Sequence, residues 1–306
     1  MTVVLNKSIL QPLLHPLFEK KKLKVLVLRD DLIHPFISGN KWRKLKYNIE
    51  EFRRQGNEWM VTFGGAYSNH IAATACAGKE FGLNTIGIIR GDELNEKTNP
   101  VLLFARGCGM KLIFVSRDKY KSLRGNYQSI VPELKTLNVE LHISELRTFD
   151  SNAFILPEGG SNFLAVKGCE EIIDDIPVDF DYICCACGTG TTIAGIINGI
   201  KNNQEAIGIA VLKGDEFLQE EVRKYSGEKN NFQLIHDYHF GGYAKSTQDL
   251  EDFCKSFTKK TSILIEPVYT GKLFFAIYDL IQKDFFPENK TIIVVHTGGI
   301  AFVRDQ

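Results

Sequence analysis

The chain has no surplus of charge of either sign. Its 37 Lys and Arg residues balance 37 Asp and Glu residues. It therefore lacks the basic footprint of a nucleic-acid binder and the cationic face of a membrane-surface helix. No apolar run approaches the ~20 residues needed to span a bilayer. Residues 1–22 interrupt their apolar stretches with Asn6, Lys7, Gln11, His15 and Glu19. No small-residue cleavage site follows, so no secretory signal is expected. Internal repeats, low-complexity blocks and Pro/Ser-rich linkers are absent. Cysteine is scarce and odd in number, seven in all, which argues against a disulfide framework and for reduced cytoplasmic thiols.

What remains is a make-up of 44% hydrophobic and 24% charged residues over 306 positions. That composition fits a globular protein of two domains, or of one large α/β domain. Short apolar runs alternate with amphipathic segments of helical length, the sign of an α/β fold with a mainly parallel sheet. The runs predict strands over 25–28, 59–63, 85–89, 111–115, 154–156, 182–187, 262–265 and 291–295. Helices are predicted over 41–54, 69–81, 100–105, 127–137, 164–173, 191–201, 216–225, 247–257 and 272–283. Gly56 and Gly82 follow two of them, where a helix C-cap glycine belongs.

Four predicted strands run directly into glycine-rich polar loops. These are Gly64-Gly65-Ala66-Tyr67-Ser68-Asn69-His70, Glu158-Gly159-Gly160-Ser161-Asn162, Gly188-Thr189-Gly190-Thr191-Thr192 and His296-Thr297-Gly298-Gly299. A fifth ends in Glu266-Pro267-Val268-Tyr269-Thr270-Gly271-Lys272. Ligands of open parallel sheets bind outside the carboxyl ends of the strands. Loops of this kind predict one shared small-molecule site.

Gly188–Thr192 opens a predicted helix. Glycines let backbone N–H groups approach an anion, the helix N-terminus adds favourable partial charge, and the threonine hydroxyls add donors. The segment reads as a phosphate cup or as an ordinary glycine turn. It is neither a dinucleotide fingerprint, since Gly195 rather than residue 193 is the next glycine, nor a P-loop, since no Lys-Ser or Lys-Thr follows. Ser68-Asn69-His70 begins another helix. It suits a helix cap, a carboxylate site, or both. The nucleophile elbow G-x-S-x-G is missing around Ser68, which sets a serine hydrolase aside.

Lys41 follows a Gly-Asn turn within Ser38-Gly39-Asn40-Lys41-Trp42-Arg43-Lys44-Leu45-Lys46-Tyr47. Such a segment is usually a solvated basic face. A lysine at a helix N-terminus beside a phosphate cup also has the chemistry to form a Schiff base. Cys184, Cys185 and Cys187 lie in an apolar run with no second C-x-x-C and no H-x-x-x-H elsewhere. They read as packed core, and no metal is expected.

Taken in order, R-D-D, S-G-N-K-W-R-K-L-K-Y, G-G-A-Y-S-N-H, P-E-G-G-S-N, C-G-T-G-T-T, D-Y-H-F-G-G-Y, E-P-V-Y-T-G-K and H-T-G-G resemble the 1-aminocyclopropane-1-carboxylate (ACC) deaminase / D-cysteine desulfhydrase family. Its members use pyridoxal 5'-phosphate and have the tryptophan-synthase-β-like fold type II. The resemblance runs from about Leu23 to Val303. It implies an α/β fold of two domains, with mainly parallel twisted sheets and helices on both faces. Residues 1–43 and 148–306 would form a large cofactor-binding domain, and residues 44–147 a small one. A homodimer is the family expectation.

The resemblance also implies roles. Lys41 would carry the cofactor through an imine. Gly188, Thr189, Gly190, Thr191 and Thr192 would hold its phosphate. Asn69 would bond its 3-hydroxyl oxygen, and Thr297 would lie against its pyridine nitrogen. Ser68 would face the substrate carboxylate and reacting carbon, with the backbone of Asn69 and His70. Tyr243 and Tyr269 match the tyrosines that flank the substrate, and Tyr269 or Ser68 would assist as a proton donor or positioning group.

ACC deaminases carry Glu after the second tyrosine and Leu in place of the H-T-G-G threonine. Thr270 and Thr297 here follow the desulfhydrase pattern. ACC has no α-hydrogen, so opening its ring demands the strong electron sink of a protonated pyridine nitrogen, which a carboxylate maintains and a threonine cannot. The implied activity is α,β-elimination on a small amino acid, D-cysteine foremost. ACC deamination and elimination on another β-substituted amino acid are the alternatives, with a non-catalytic cofactor-binding protein behind them. One departure bears on substrate. Ile71, Ala72 and Ala73 stand where the family usually continues S-N-H with an Arg-Gln pair.

Overall fold

The computed structural model describes residues 5–126, 153–213, 216–300 and 302. Its elements run β1 Leu10–Pro12, α1 Pro16–Lys20, β2 Lys24–Leu28, α2 Asn40–Arg54, β3 Trp59–Gly64, α3 Asn69–Phe81, β4 Asn84–Arg90, α4 Pro100–Gly107, β5 Lys111–Val115 and α5 Arg117–Gly125. They continue as β6 Ala153–Leu156, α6 Phe163–Glu170, β7 Tyr182–Cys187, α7 Thr191–Gly199, β8 Glu205–Ala210, α8 Glu216–Ser226, β9 Phe232–Ile235, α9 Gln248–Thr261, α10 Thr270–Gln282 and β10 Thr291–Val295. Two compact units emerge, divided between Lys44 and Leu45 and again between Asn162 and Phe163.

The larger unit holds a six-stranded sheet in the order β1-β2-β10-β7-β8-β9. Every pair is parallel except β1 with β2. Successive side chains of a strand point to opposite faces, and the core follows that period. Cys184 and Val294 join one apolar cluster with Leu250, Phe257, Leu273 and Ile277 of α9 and α10. Their neighbours Cys185 and Val295 join a second cluster with Cys169, Ile193, Leu218 and Val222 of α6, α7 and α8. Helices therefore cover both faces. The near-continuous apolar character of β7 and β10 is what a doubly covered parallel strand requires.

The smaller unit holds a four-stranded parallel sheet in the order β5-β4-β3-β6. Val61, Phe63, Ile86 and Ile88 pack with Tyr120 and Leu123 of α5 on one face. Ile71 and Ala75 of α3 pack with Ile89 and Leu102 on the other. Ser68 caps α3, its hydroxyl accepting from Ile71 N–H at 3.3 Å. Gly82 ends the helix at φ 68°, the left-handed cap a glycine adopts at least cost.

Several sequence expectations change. Residues 262–265 form no strand. Ile263 and Ile265 are buried, but β10 already pairs with β2 and β7 on its two edges. The Leu264 carbonyl is instead met by the His296 ring at 2.7 Å. Strands β1, β8 and β9 were not expected. The apolar run of β8 is interrupted by Gly208, where a Cβ would meet Leu234 Cδ2 at 2.6 Å and Cys187 Sγ at 2.8 Å. Helix α5 is charged along most of its length and buries only Tyr120 and Leu123 among its described side chains, so its apolar stripe is thin. The helix expected over 127–137 lies outside the described residues. The sequence reading begins the larger domain at 148. Pairing of β6 with β3 instead carries residues 153–162 into the smaller unit. Among the described residues no helix is long and apolar enough to cross a membrane.

Candidate active site

In the larger unit, β7 and β10 are parallel neighbours, so their glycine-rich ends emerge at one edge of the sheet. β7 passes through Gly188 and Thr189 into Gly190, the N-cap of α7 at φ 77°. A Cβ at Gly190 would press on Val222 and Leu218 at 3.1 and 3.2 Å. The turn thus needs glycine for both its backbone and its packing. The hydroxyls of Thr189 and Thr191 lie 3.3 Å apart. Lys44 Nζ, on a side chain that is buried, donates to Thr189 Oγ1 at 3.4 Å. Asn40 Nδ2 donates to Thr192 Oγ1 at 3.0 Å. A helix N-terminus, hydroxyls and a buried cation together form an anion cradle.

Lys41 sits on the first turn of α2. The turn before it is fastened from three directions. Gly39 N–H donates to Asp30 O at 2.8 Å, Asn40 N–H to Thr297 O at 3.4 Å, and Lys41 N–H to Ser38 O at 3.2 Å. Buried Arg43 grips Asp30 with Nη2 at 2.9 Å and Nε at 3.2 Å, and also bonds Asp175. Desolvation first, and then the neighbouring Lys44 ammonium, lower the Lys41 pKa from its ordinary 10.5 to about 7 against a smaller pull from Cys169. Burial lowers the Lys44 pKa as well.

The end of β10 is equally fixed. His296 Nε2 donates to Leu264 O at 2.7 Å, and its Nδ1 accepts from Gly298 N–H at 3.2 Å. Burial first, with a smaller contribution from Arg29, lowers the His296 pKa against the pull of Asp31 3.6 Å away. This pattern is that of the neutral ring with its proton on Nε2. Thr297 is thereby held beside the Lys41 turn.

Tyr269 approaches the cradle from the loop before α10, where a Cβ on Gly188 would lie 3.4 Å from its Cε1. Its ring stands 6.2 Å from that of Tyr243 at 67°. Buried Glu266 organises the loop. Its carboxylate accepts from Val268 N–H at 2.6 Å, Tyr269 N–H at 3.0 Å and Thr270 N–H at 2.7 Å. The Thr270 hydroxyl accepts from Glu266 N–H and donates to Glu266 Oε1, both at 3.1 Å. Burial raises the Glu266 pKa to about 7 while these donors pull the other way.

The larger unit thus brings together Lys41, Gly188, Thr189, Gly190, Thr191, Thr192, Tyr243, Tyr269, Thr270 and Thr297. Ser68, Asn69 and His70 form the start of α3 in the smaller unit. There the buried Thr62 hydroxyl donates to Leu156 O at 3.0 Å, so His70 Nε2, 2.7 Å from Thr62 Oγ1, donates its proton to that hydroxyl oxygen. Sequence reasoning missed Lys44, Glu266 and Lys272. Each lay inside a quoted motif, and the available signal was a charge embedded between apolar runs. The cysteines of β7 are buried in the two core clusters. Burial pushes the Cys184 thiol well up, and a hydrogen bond with Cys187 first, then burial, does the same for Cys185.

These residues fit pyridoxal phosphate. The cradle offers the donors that a phosphate takes, and an amine of lowered basicity, the form that adds to an aldehyde, lies in the same unit. A family profile described as pyridoxal-phosphate dependent enzymes matches residues 10–298. A Pyrococcus horikoshii protein, provisionally named a 1-aminocyclopropane-1-carboxylate deaminase, is 30% identical over 292 residues, covering 90% of this chain and 85% of that protein. An Arabidopsis thaliana mitochondrial protein named bifunctional D-cysteine desulfhydrase/1-aminocyclopropane-1-carboxylate deaminase is 30% identical over 307 residues, covering 92% and 73%. A crystal structure described as an ACC deaminase homologue superposes with TM-score 0.81 at 27% identity, covering 98% of this chain and 92% of that one. With the cradle, the lysine and these likenesses in agreement, the chain belongs to the ACC deaminase / D-cysteine desulfhydrase family of pyridoxal-phosphate dependent enzymes.

Proposed function

We propose that the chain is a lyase that eliminates the β-substituent of a small amino acid, with D-cysteine converted to pyruvate, ammonia and hydrogen sulfide. The observation that carries this reading is the Lys41 amine, lowered to about pKa 7 in the unit that also holds the anion cradle. An amine of that basicity is available as a proton acceptor near neutral pH.

Pyridoxal phosphate, when bound, supplies the electron sink that makes an α-proton removable. Gly188, Thr189, Gly190, Thr191, Thr192 and Lys44 would hold its phosphate. As the family resemblance implies, Asn69 would bond its 3-hydroxyl oxygen and Thr297 would lie at its ring nitrogen. By the same resemblance, Ser68, with the backbone of Asn69 and His70, would take the substrate carboxylate, and Tyr243 and Tyr269 would flank the substrate. Lys41 accepts the α-proton. The C–S bond breaks, hydrosulfide leaves with the electron pair, and Tyr269 or Ser68 delivers a proton to it. The released enamine takes up water to give pyruvate and ammonia. The neutral hydroxyls of Thr270 and Thr297 favour a substrate with an α-proton and a good leaving group. We further propose that the chain pairs as a homodimer, which sedimentation of the purified protein tests.

Ring opening of ACC is the second reading. It is favoured by the Glu266 carboxylate, 3.1 Å from the Thr270 hydroxyl at the discriminating position. The deciding experiment is a screen of both enantiomers of cysteine and serine alongside ACC, on the wild type and on Lys41→Ala. Pyruvate and sulfide from D-cysteine, lost together with the visible absorbance of the bound cofactor in the variant, support the elimination. 2-Oxobutanoate from ACC in their place supports the second reading. Wild-type turnover by Lys41→Ala overturns the mechanism, and bound cofactor without keto acid from any substrate points to a non-catalytic binding protein.

A further inference from the structure

Lys272 is wholly buried at the start of α10, a placement that is rare for lysine unless its ammonium is fully bonded. Its three donors are all used. Nζ reaches Val211 O at 3.2 Å, His239 O at 2.8 Å and Gly242 O at 2.7 Å. The first carbonyl follows the end of β8. The other two belong to the turn immediately before Tyr243. Within the turn, Gly241 N–H donates to His239 Nδ1 at 2.9 Å and Lys245 N–H to Gly242 O at 3.2 Å, and the Phe240 ring packs on Phe275 of α10 at 5.1 Å. Gly241 and Gly242 both stand at positive φ, 92° and 113°, and Gly242 N–H closes onto the same His239 carbonyl at 2.9 Å.

Lys272 also lies one turn of chain beyond Glu266, whose carboxylate gathers the backbone of Val268, Tyr269 and Thr270. The two buried charges interact, Glu266 favouring the ammonium form of Lys272 against burial. The Glu266 side fixes the loop that carries Tyr269. The Lys272 side fixes the turn that carries Tyr243. These are the two rings that stand 6.2 Å apart, though their residues are separated by more than 20 positions in sequence.

We propose that Lys272 is a positioning residue that sets the spacing of Tyr243 and Tyr269 by clamping the carbonyls of His239 and Gly242. The proposal rests on the reading of the two tyrosines as the walls of the substrate site and assigns their geometry to a buried cation. Lys272 has no exposed surface and spends all three donors on main-chain carbonyls, so it acts through the backbone. Without the ammonium, His239 O keeps only the Gly242 N–H and Gly242 O only the Lys245 N–H at 3.2 Å, and the charge-assisted bonds that tie this turn to α10 are lost.

The test compares wild type with Lys272→Met and Lys272→Gln, all loaded with pyridoxal phosphate. Methionine keeps the volume and removes every donor. Glutamine keeps an amide with two donors and serves also if the methionine variant does not fold. Amide hydrogen exchange over residues 239–245 should accelerate about tenfold or more in Lys272→Met and less in Lys272→Gln, as the loss of one or more charge-assisted bonds predicts. Exchange over β7 and α7 should stay at the wild-type rate, and the absorbance of the bound cofactor should be unchanged. KM for the amino acid that the substrate screen identifies should rise by a similar factor, with kcat nearly unaffected. Wild-type exchange over 239–245 in the variants, or a fall in kcat at constant KM, overturns the proposal. The exchange readout needs no substrate, so it is decided separately from the elimination reading, which stands or falls on the screen.

Discussion

The main-chain oxygen of Thr297 fills the space in which a Cβ on Gly39 would lie, 2.0 Å from its ideal position. Gly39 itself stands at φ 58°. On the other side, a Cβ on Gly298 would lie 2.4 Å from Ser38 Oγ. The end of β10 and the turn that launches Lys41 are therefore pressed together backbone to backbone. That contact fixes the backbone from which Lys41 extends.

Gly39→Ala should separate the two segments. Left-handed backbone costs an alanine roughly 1–2 kcal/mol, and overpacking adds about 1–3 kcal/mol. Thermal unfolding should show a lower midpoint. The variant should also take up pyridoxal phosphate poorly, read from absorbance after dialysis against the cofactor.

Lys41 should titrate near neutrality. Its ordinary value is 10.5 and burial with Lys44 brings it to about 7, so the folded protein holds the neutral amine above that pH while an unfolded chain stays protonated up to 10.5. Between those values the unfolded state binds the extra proton, and this group adds stability to the apo-protein as pH rises through that window. Imine formation with pyridoxal, which lacks a phosphate, should quicken as pH rises through about 7 and then level off. Lys44→Met removes the neighbouring positive charge, so its midpoint should move to higher pH. A stopped-flow pH series on both proteins measures this, and coincident curves would show that Lys44 has no effect on the amine.

Arg43→Lys should not pass as conservative. The guanidinium bonds both oxygens of Asp30 and reaches Asp175 as well. An ammonium cannot reproduce a planar fork. Breaking a buried pair of this kind costs about 3–5 kcal/mol, because the remaining carboxylate is left without its counter-charge. Chemical denaturation should show a loss of that order for Arg43→Ala, and a smaller one for Arg43→Lys.

Gly195→Ala tests a helix-to-helix contact. Alanine in place of glycine inside an exposed helix normally stabilises by about 1 kcal/mol. Here the new methyl would lie 2.4 Å from Cys169 Cβ and 2.7 Å from Val166 O, so α7 would be forced from α6. The expected sign is reversed, a loss of roughly 1–3 kcal/mol, seen as a lower unfolding midpoint.

The punctuation of the chain was legible from the start. Strands β5, β7 and β10 and helix α3 match their expected bounds residue for residue, because continuous apolar runs and a Ser-Asn cap with a following Gly82 are local signals. The glycine turn that joins β7 to α7 was legible for the same reason. Residues 262–265 misled because an apolar run records burial and not pairing. Strand β9 escaped notice because four residues hold too little pattern.

The sequence by itself determined the alternation of strands and helices, the glycine loops at the strand ends, and through its ordered motifs the family. Only the tertiary structure decided which charges are buried and what they hold. Lys44 on Thr189, Glu266 around the Tyr269 loop and Lys272 on the Tyr243 turn look in sequence like any surface lysine or glutamate. What distinguishes them is their partners, donated by segments up to 145 positions away, and the cost of burying a charge is offset only by groups that folding brings to it.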